Sequence, residues 1–178
     1  MQPSSPQNMV KTKRLQLFAL LALTLASSVC LGLPDDREKV LELSADQADL
    51  NQQTHHGEYT GNIQLDQGSS HLRAAFAITE GDKQNKLVMA EAMGDQKDPA
   101  HFWTLTAADK PPLHAYADTI RYYPDRHLIE LIGHALVTQG DNSFSAPKIS
   151  YDTVEQHVIS KSDGKNRTTI IIHPEKKA

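Results

Sequence analysis

The sequence feature that most constrains the fold is an alternation of apolar and polar residues, broken at intervals by turn-forming clusters. Leu72, Ala74, Phe76 and Ile78 occupy every second position of one segment, which places them on one face of a β-strand. Clusters rich in Gly, Asp, Asn and Ser separate such segments. The stretch Lys39–Leu50 fits a strand as well as a helix, and we predict it as a strand. The pattern as a whole predicts an antiparallel all-β domain.

An internal repeat refines this prediction. Ala45–Ala74 aligns without gaps on Ala117–Ala146, so that residue n of the first copy matches residue n + 72 of the second, and 8 of the 30 positions are identical. The apolar positions also keep their parity, as Leu65 and Val137 illustrate. Because a slip of one residue would turn every side chain to the other face, both copies direct the same set inward. Two such units predict a pseudo-symmetric jelly roll or a related barrel.

Residues 1–32 have the organisation of a secretory signal peptide. The basic residues Lys11, Lys13 and Arg14 precede an apolar run from 15 to 26 and then a group of small residues, which is the order of an export signal. We predict cleavage near Gly32, which would remove Cys30, the only cysteine of the chain. An uncleaved membrane anchor stays an alternative, because extending the apolar run to residue 33 nearly reaches the length of about 20 residues that a membrane span needs.

The charge and the hydropathy of the chain exclude two classes of protein. The formal net charge of −4 at pH 7 lacks the strongly basic footprint of a nucleic-acid-binding protein. The part after residue 32, with 15 basic and 22 acidic residues, is more acidic still. The mean hydropathy of −0.48 excludes a polytopic membrane protein.

Six short motifs follow one another along the rest of the chain. They are Leu43–Ala48, Tyr59–Ile63, Pro99–Trp103, Leu113–Asp118, Ile132–Ala135 and Lys148–Tyr151. Their order and spacing resemble the OstA-like family over about Val40 to Pro174. The resemblance implies an open antiparallel β-jelly roll with an apolar interior at residues 33–174, followed by a short disordered tail at 175–178. It also implies a periplasmic protein of outer-membrane biogenesis that transports lipopolysaccharide and has neither catalytic activity nor a cofactor.

The partners implied by the resemblance are lipids and other envelope proteins. Subunits of the family self-associate head to tail through edge strands, and the stack bridges an inner-membrane LptC-like protein and the N-terminal domain of the outer-membrane protein LptD. The lipid A acyl chains of lipopolysaccharide travel along the shared interior. Two alternatives remain open: a membrane-anchored LptC-like sister protein, and a jelly-roll enzyme or carbohydrate-binding module of the envelope.

The set of inward-facing apolar residues supplies the candidate lipid-binding groove. Its members are Leu41, Ile63, Leu65, Leu72, Phe76, Phe102, Ile120, Tyr122, Val137, Phe144 and Ile149. Exposing an acyl chain to water costs about 0.8 kcal/mol per CH₂ group, so an inward apolar face would shield such chains. The same residues could equally fill an ordinary core, and the sequence leaves both interpretations open.

Two segments are predicted as open edges of the sheet. One lies near Val40–Leu43 and the other is the final strand, Thr168–His173. Because an edge strand presents unpaired backbone N–H and C=O groups, it can recruit a strand from another chain.

The sequence carries no recognisable catalytic or metal-binding motif. The nine histidines are scattered, with no H-E-x-x-H pattern and no ligand spacing that recurs on one face, and we expect them to be solvated residues of the polar faces. A G-x-S-x-G nucleophile elbow is also missing. Asp46, Asp118 and Glu130 are interpreted as turn and rim residues rather than as paired catalytic carboxylates.

Overall fold

The computed structural model of the protein describes residues 33–174. The predicted signal peptide at 1–32 and the predicted tail at 175–178 lie outside the described residues. The twelve strands are β1 Leu41–Ser44, β2 Gln47–Asn51, β3 His56–Gln67, β4 Ser70–Gly81, β5 Leu87–Met93, β6 Ala100–Thr104, β7 Leu113–Ala117, β8 Thr119–Tyr123, β9 Leu128–Gln139, β10 Asn142–Asp152, β11 His157–Lys161 and β12 Thr169–Ile171. Two short 3₁₀ helices, Pro34–Glu38 and Pro124–Arg126, complete the secondary structure of the described residues. Within this part of the chain no helix has the length and apolar character needed to cross a bilayer.

The strands form one antiparallel sheet that is folded into two layers. The first layer has the order β1-β3-β4-β6-β7-β9-β10-β12, and the second has the order β2-β3-β4-β5-β8-β9-β10-β11. The long strands β3, β4, β9 and β10 pass through both layers, whereas the short strands belong to one layer each. This arrangement is the predicted open antiparallel β-jelly roll, and β1 and β2 confirm the strand prediction for Lys39–Leu50.

The line along which the sheet folds, here called the corner, is built from Asp and Gly residues that occur once in each repeat. The amide of Asp46 donates a hydrogen bond of 2.9 Å to the carbonyl of Gly61, and Asp118 does the same to Gly133, also at 2.9 Å. Both glycines have a positive φ, +79° and +77°, which only glycine adopts readily. In β3 and in β9, this glycine and the residue after it lie opposite a single residue of the neighbouring strand. Each strand therefore has one extra residue there, and such a bulge bends a strand.

The strand pairing shows that the sequence repeat is a structural repeat. Every pair formed among β1, β2, β3 and β4 recurs among β7, β8, β9 and β10 at positions 72 residues later. The last two strands of each unit are also equivalent, β5 with β11 and β6 with β12, at an offset of 68 residues. The identical Gln67 and Gln139 both donate a side-chain hydrogen bond of 3.1 Å to a backbone carbonyl, of Lys39 and Pro111 respectively. The prediction of two pseudo-symmetric units is therefore confirmed.

Five alanines and Ile63 line the inner side of the corner. Ile63, Ala74, Ala100, Ala117, Ala135 and Ala146 form one register row across the first layer, and Ala100 and Ala117 are completely buried. Such short side chains let the two layers approach closely where they meet. The buried core continues from this row into Ile120, Leu131 and Ile149 of the second layer.

Candidate functional site

The inner face of the first layer carries a continuous apolar row, here called the groove row. Its members, in strand order, are Leu43, Leu65, Leu72, Phe102, Ala115, Val137, Phe144 and Ile170. Most of these side chains are only half-buried, although they lie on the same face as the core. Apolar side chains that face inward and still contact solvent indicate a space between the layers that the chain itself does not fill.

The inner face of the second layer follows the same gradient. The row nearest the corner contains Ala77, Ala92, Ile120, Leu131 and Ile149, all of them buried. The next row away from the corner contains Ala90, Tyr122, Ile129 and Tyr151, and these side chains are half-buried. The inner faces of the two layers thus form an apolar groove that is closed at the corner and becomes more exposed away from it, except around Thr104 and Asp36, which are buried.

Ten of the eleven predicted groove residues lie on the inner faces. They are Leu41, Ile63, Leu65, Leu72, Phe102, Ile120, Tyr122, Val137, Phe144 and Ile149. Three of the ten, Ile63, Ile120 and Ile149, are buried and act as core. Leu41 shares a row with the fully buried Thr104, but it sits on the outermost strand and is 53% exposed.

The structure places Phe76 on the outer face, contrary to the prediction. Phe76 pairs with the exposed Thr60, whereas its neighbour Ala77 belongs to the buried row. Ala74 and Ala77 both face inward although they are three residues apart, so the inward positions of β4 change from even to odd numbers at the corner. The paired strand β3 keeps its parity there because it carries the extra residue. A strict period of two, applied across the corner, therefore selects the wrong residue.

Both ends of the groove are open edges with exposed apolar side chains. At the edge formed by β1 and β2, Leu41 and Leu50 are 53% and 62% exposed. At the edge formed by β11 and β12, Val158 and Ile170 are 44% and 62% exposed, and Ile172, just after β12, is 76% exposed. Each of these four strands pairs with a single strand of the described chain. The two predicted edge segments therefore coincide with edges of the folded sheet.

The outer face of the second layer is ionic. Arg121 lies between Glu91 and Glu130 in one row of the sheet. It forms an ion pair with Glu91, and hydrogen bonding to that carboxylate raises the pKa of Arg121. Lys148 pairs with Glu130 at 2.5 Å. A charged outer face opposite an apolar inner face is the expected pattern for a layer with one side in water.

The outer face of the first layer carries a cluster that sequence reasoning missed, here called the histidine cluster. Its members are Asp66, His71, Arg73, His101, Trp103, His114 and Tyr116. The rings stand against one another: His101 stacks on Tyr116 at 4.2 Å and on Trp103 at 4.6 Å between ring centroids. Burial, together with the nearby His114 and Arg73, lowers the pKa of His101 to about 4. The expectation of scattered histidines is thus wrong for three of the nine.

Asp66 balances the charge at one end of the histidine cluster. Its carboxylate accepts hydrogen bonds from His71 at 2.5 Å and from Arg73 at 3.0 Å, and these contacts lower its pKa. The part of the chain that the structure describes contains no group of three or more side chains arranged to hold a metal ion. Asp46 and Asp118 lie between strands, at the corner, as their interpretation as turn residues predicted, whereas Glu130 lies within β9 and pairs with Lys148.

Comparison with known proteins assigns the chain to a family. A family model described as "LptA/(LptD N-terminal domain) LPS transport protein" matches residues 42–157, a range that runs from β1 to the start of β11. The chain belongs to this family. The resemblance noted from the six motifs is thereby confirmed, and with it the β-jelly-roll fold.

Relatives within the LptA family agree over almost the whole chain. The lipopolysaccharide export system protein LptH of Pseudomonas aeruginosa is 33% identical over 91% of this chain and 94% of its own length. The corresponding LptA proteins are 28% identical in Escherichia coli K12 and 26% identical in Haemophilus influenzae, covering 91% and 89% of this chain and 88% and 91% of their own lengths.

A solved structure of the family supports the fold directly. The crystal structure of LptH from P. aeruginosa matches with a TM-score of 0.69 and 30% identity, covering 79% of this chain and all of that one. That protein is described as the periplasmic, LptA-homologous component of the lipopolysaccharide transport device.

Proposed function

We propose that the protein is a non-enzymatic carrier of lipopolysaccharide in the periplasm, and that it shields the acyl chains of lipid A in its groove. The observation that carries the proposal is the groove row, an inward apolar face that stays half-buried and runs from β1 at one edge to β12 at the other. An ordinary core would be closed at both edges. The family relatives, which are lipopolysaccharide export proteins, point to the same ligand.

The physical reason for such a groove is the cost of exposing hydrocarbon to water. Each CH₂ group of an acyl chain contributes about 0.8 kcal/mol when it leaves water, so several long chains need an apolar lining along their whole path. The half-buried side chains Leu72, Phe102, Val137 and Phe144 offer such a lining. The acidic balance of the chain supplies no broad basic surface, so binding would depend on the acyl chains more than on the headgroup.

Binding of purified lipopolysaccharide tests this role with two neighbouring residues of β10. Phe144 faces the groove, and Ser145 faces outward in the row of Leu136. We expect Phe144→Glu to weaken binding at least tenfold, because the carboxylate must lose its hydration beside the acyl chains. Ser145→Glu should change binding by less than twofold. Equal affinity of the folded Phe144→Glu and Ser145→Glu variants for lipopolysaccharide would exclude the groove as the binding site.

The bridging role requires copies of the chain to join end to end, and the internal repeat contains a template for that junction. Within the chain, the last strands of the first unit pair with the first strands of the second unit, β6 with β7 and β5 with β8. The equivalent strands on the outside are β12 and β11 at one edge, and β1 and β2 at the other. Joining two copies through these edges would repeat an existing junction.

The template also predicts the register between copies. Phe102 pairs with Ala115 within the chain, so its equivalent Ile170 should lie opposite Leu43 of the next copy. In the second layer Ala90 pairs with Tyr122, so Val158 should lie opposite Leu50 of the next copy. Both predicted pairs are apolar and face inward, so the junction would bury exposed side chains and continue the groove row from one copy into the next.

Engineered disulfides test this register. In a background with Cys30 replaced by Ser, Leu43→Cys and Ile170→Cys should cross-link neighbouring copies, because residues directly opposite in antiparallel strands have Cα atoms about 4.5–5.5 Å apart. A disulfide accepts that distance. The control pair Leu43→Cys and Ile172→Cys lies two residues out of register, at about 8 Å, and should cross-link poorly. Preferential cross-linking of the control pair would overturn the register.

Proteins of the same fold could use the same edges. The family groups LptA with the N-terminal domain of LptD, so an LptD N-terminal domain would present strands able to pair with one end of the stack, and an LptC-like inner-membrane protein would pair with the other.

Periplasmic location rests on the predicted signal peptide. Sequencing the N-terminus of the exported protein tests it, since a start near residue 33 is expected and a retained N-terminal segment would favour the anchored alternative.

A further inference from the structure

The 3₁₀ helix Pro34–Glu38, here called the strap, is held to the sheet by a buried carboxylate. Asp36 is only 6% exposed. Its side chain accepts hydrogen bonds from the amide of Ser69, at 2.8 Å, and from the hydroxyl of the same residue, at 2.5 Å. Ser69 lies in the turn that joins β3 to β4. These bonds therefore hold the strap against the end of the first layer that is farthest from the corner.

Two further hydroxyl groups place this contact on the inner side of the first layer. Oγ1 of Thr104 lies 2.9 Å from Oγ of Ser70 and 3.4 Å from Oγ of Ser69. Ser70 and Thr104 face inward, since each is two residues from a member of the groove row in its own strand. Thr104 is completely buried, although Leu41, at the edge of the same row, is 53% exposed. The strap therefore lies across the rim of the groove at β4 and β6.

Polar contacts define this position at both ends of the strap. At its start the amide of Leu33 donates a hydrogen bond of 3.0 Å to Asp36, and just after its end the carbonyl of Lys39 accepts one of 3.1 Å from Gln67. A glycine makes the close approach possible, because a Cβ atom on Gly68 would lie 2.1 Å from Oδ1 of Asp36. The strap thus fits against the turn between β3 and β4 in one defined position.

The second unit of the repeat lacks the buried carboxylate. Residues 105–112 are the equivalent of 33–40, and both segments keep the glutamine hydrogen bond described above for the repeat. However, Ala108 stands where the first unit has Asp36, and Asp141 stands where it has Ser69. The segment 105–112 is joined to a strand at each end, to β6 and to β7. The contact between Asp36 and Ser69 is therefore a property of the strap and not a requirement for folding such a unit.

The strap can leave this position without exposing much apolar surface. Asp35 and Glu38, on either side of the buried carboxylate, are exposed. The connection to β1 is exposed as well, and Val40 in it is 86% exposed. On release, water replaces the hydrogen bonds of Asp36 and Ser69, and such an exchange has a small net cost. A segment held mainly by polar contacts opens locally more readily than the core does.

We propose that the strap is a lid on the lipid groove, which Asp36 holds closed and which turns about Val40 when it opens. In the closed position the strap covers the rim of the groove at β4 and β6. Opening would let acyl chains enter between the layers from that side. The inference rests on the proposed function, because a lid requires a ligand in the groove, so the movement of the strap is measured separately from lipid binding.

A nitroxide spin label on the strap measures the movement directly. The label is attached to Asp35→Cys in the full-length chain with Cys30→Ser, so that Asp36 stays in place. We expect its rotational correlation time to shorten at least about twofold when purified lipopolysaccharide is added, because a released segment moves on the nanosecond timescale. A label at Ala108→Cys, which is exposed on the equivalent segment, is the control and should keep its mobility.

The outcomes separate the lid from the proposed function. Unchanged mobility at residue 35, in protein that has bound lipopolysaccharide, would overturn the lid and leave the carrier role intact. An equal change at residue 108 would overturn the lid as well. If the unlabelled protein did not bind lipopolysaccharide, the carrier role would fail and the lid with it.

Two neighbouring substitutions test Asp36 with the same change in charge. Asp36→Asn leaves one side-chain oxygen to accept hydrogen bonds, whereas both oxygens of the carboxylate accept them now. Losing one hydrogen bond to a charged group shifts an equilibrium about tenfold or more, so Asp36→Asn should speed association with fluorescent lipopolysaccharide by about that factor in stopped-flow measurements. Asp35→Asn should change the rate less than about twofold. Equal rates would overturn the lid, and the label at residue 35 decides the question if Asp36→Asn does not fold.

Discussion

Replacing Gly133 by Ala tests whether the corner depends on the contact between Gly and Asp that each repeat provides. A Cβ atom on Gly133 would lie 2.1 Å from the carboxylate of Asp118, far inside any allowed contact. The residue also has a φ of +77°, which costs an L-residue roughly 1–2 kcal/mol. Moving Asp118 away adds an overpacking cost of roughly 1–3 kcal/mol, so Gly133→Ala should lower the free energy of unfolding by about 2–5 kcal/mol.

Gly164 provides a control that separates the two causes. It has a φ of +86°, but nothing lies within 4 Å of its Cβ position, so Gly164→Ala carries the backbone strain alone. Urea unfolding should show a loss of only about 1–2 kcal/mol for this variant. Gly61→Ala should behave like Gly133→Ala, because its Cβ would lie 2.4 Å from Asp46.

The double variant Asp118→Gly with Gly133→Ala checks the contact itself, because the Oδ2, Cγ and Cβ atoms of Asp118 all lie within 3.0 Å of the added Cβ atom. With the whole side chain removed, the added methyl group should cost no more than it does at Gly164, which corresponds to a coupling free energy of about 1–3 kcal/mol. If Gly133→Ala and Gly164→Ala were equally destabilising, the steric account of the corner would be refuted.

Three further predictions concern the edge, the histidine cluster and the N-terminal 3₁₀ helix. Ile170→Asp should abolish concentration-dependent assembly in analytical ultracentrifugation, while Ile171→Asp on the outward row should leave it largely intact; equal effects would contradict the inward junction. The pKa of His101 is lowered to about 4 in the folded protein. As the pH falls from about 6.5 to 4, this histidine therefore takes up a proton in the unfolded chain before it does so in the folded protein. Stability should therefore fall over that range, and His101→Phe should reduce the loss between pH 7 and pH 5 in urea unfolding. Asp36 accepts hydrogen bonds from the amide and hydroxyl of Ser69, so Asp36→Ala should cost about 1–3 kcal/mol and speed hydrogen exchange at the Ser69 amide; unchanged exchange would contradict the contact.

The alternation and the repeat were sufficient to predict most of the fold. Parity placed Leu72, Phe102 and Phe144 on the inner face correctly, because these residues lie in straight stretches of strand where side chains alternate strictly. It failed at Phe76, because the inward parity of β4 changes at the corner. The spacing of apolar residues within one strand does not indicate which of two paired strands carries the extra residue where both pass through the corner.

The histidine cluster could not be predicted from local patterns, because it depends on which strands are neighbours. His71 and Trp103 meet only because β4 pairs with β6 in the first layer, while β5 lies between them in sequence but pairs in the second layer. The pattern His101-Phe102-Trp103, followed by His114-Ala115-Tyr116 in the next strand, was the available signal. It becomes informative once β6 and β7 are aligned in register.

The most direct test of the central claim is site-specific photo-crosslinking to lipopolysaccharide in living cells. A photoreactive residue is placed at Phe102 or Phe144 on the groove row, and at the adjacent outward positions Trp103 or Ser145. Lipopolysaccharide adducts should form at the two groove positions and be absent or weak at their neighbours, because only the groove contacts acyl chains. Adducts of equal yield on both faces, or on the outer face alone, would contradict a lipid path between the two layers.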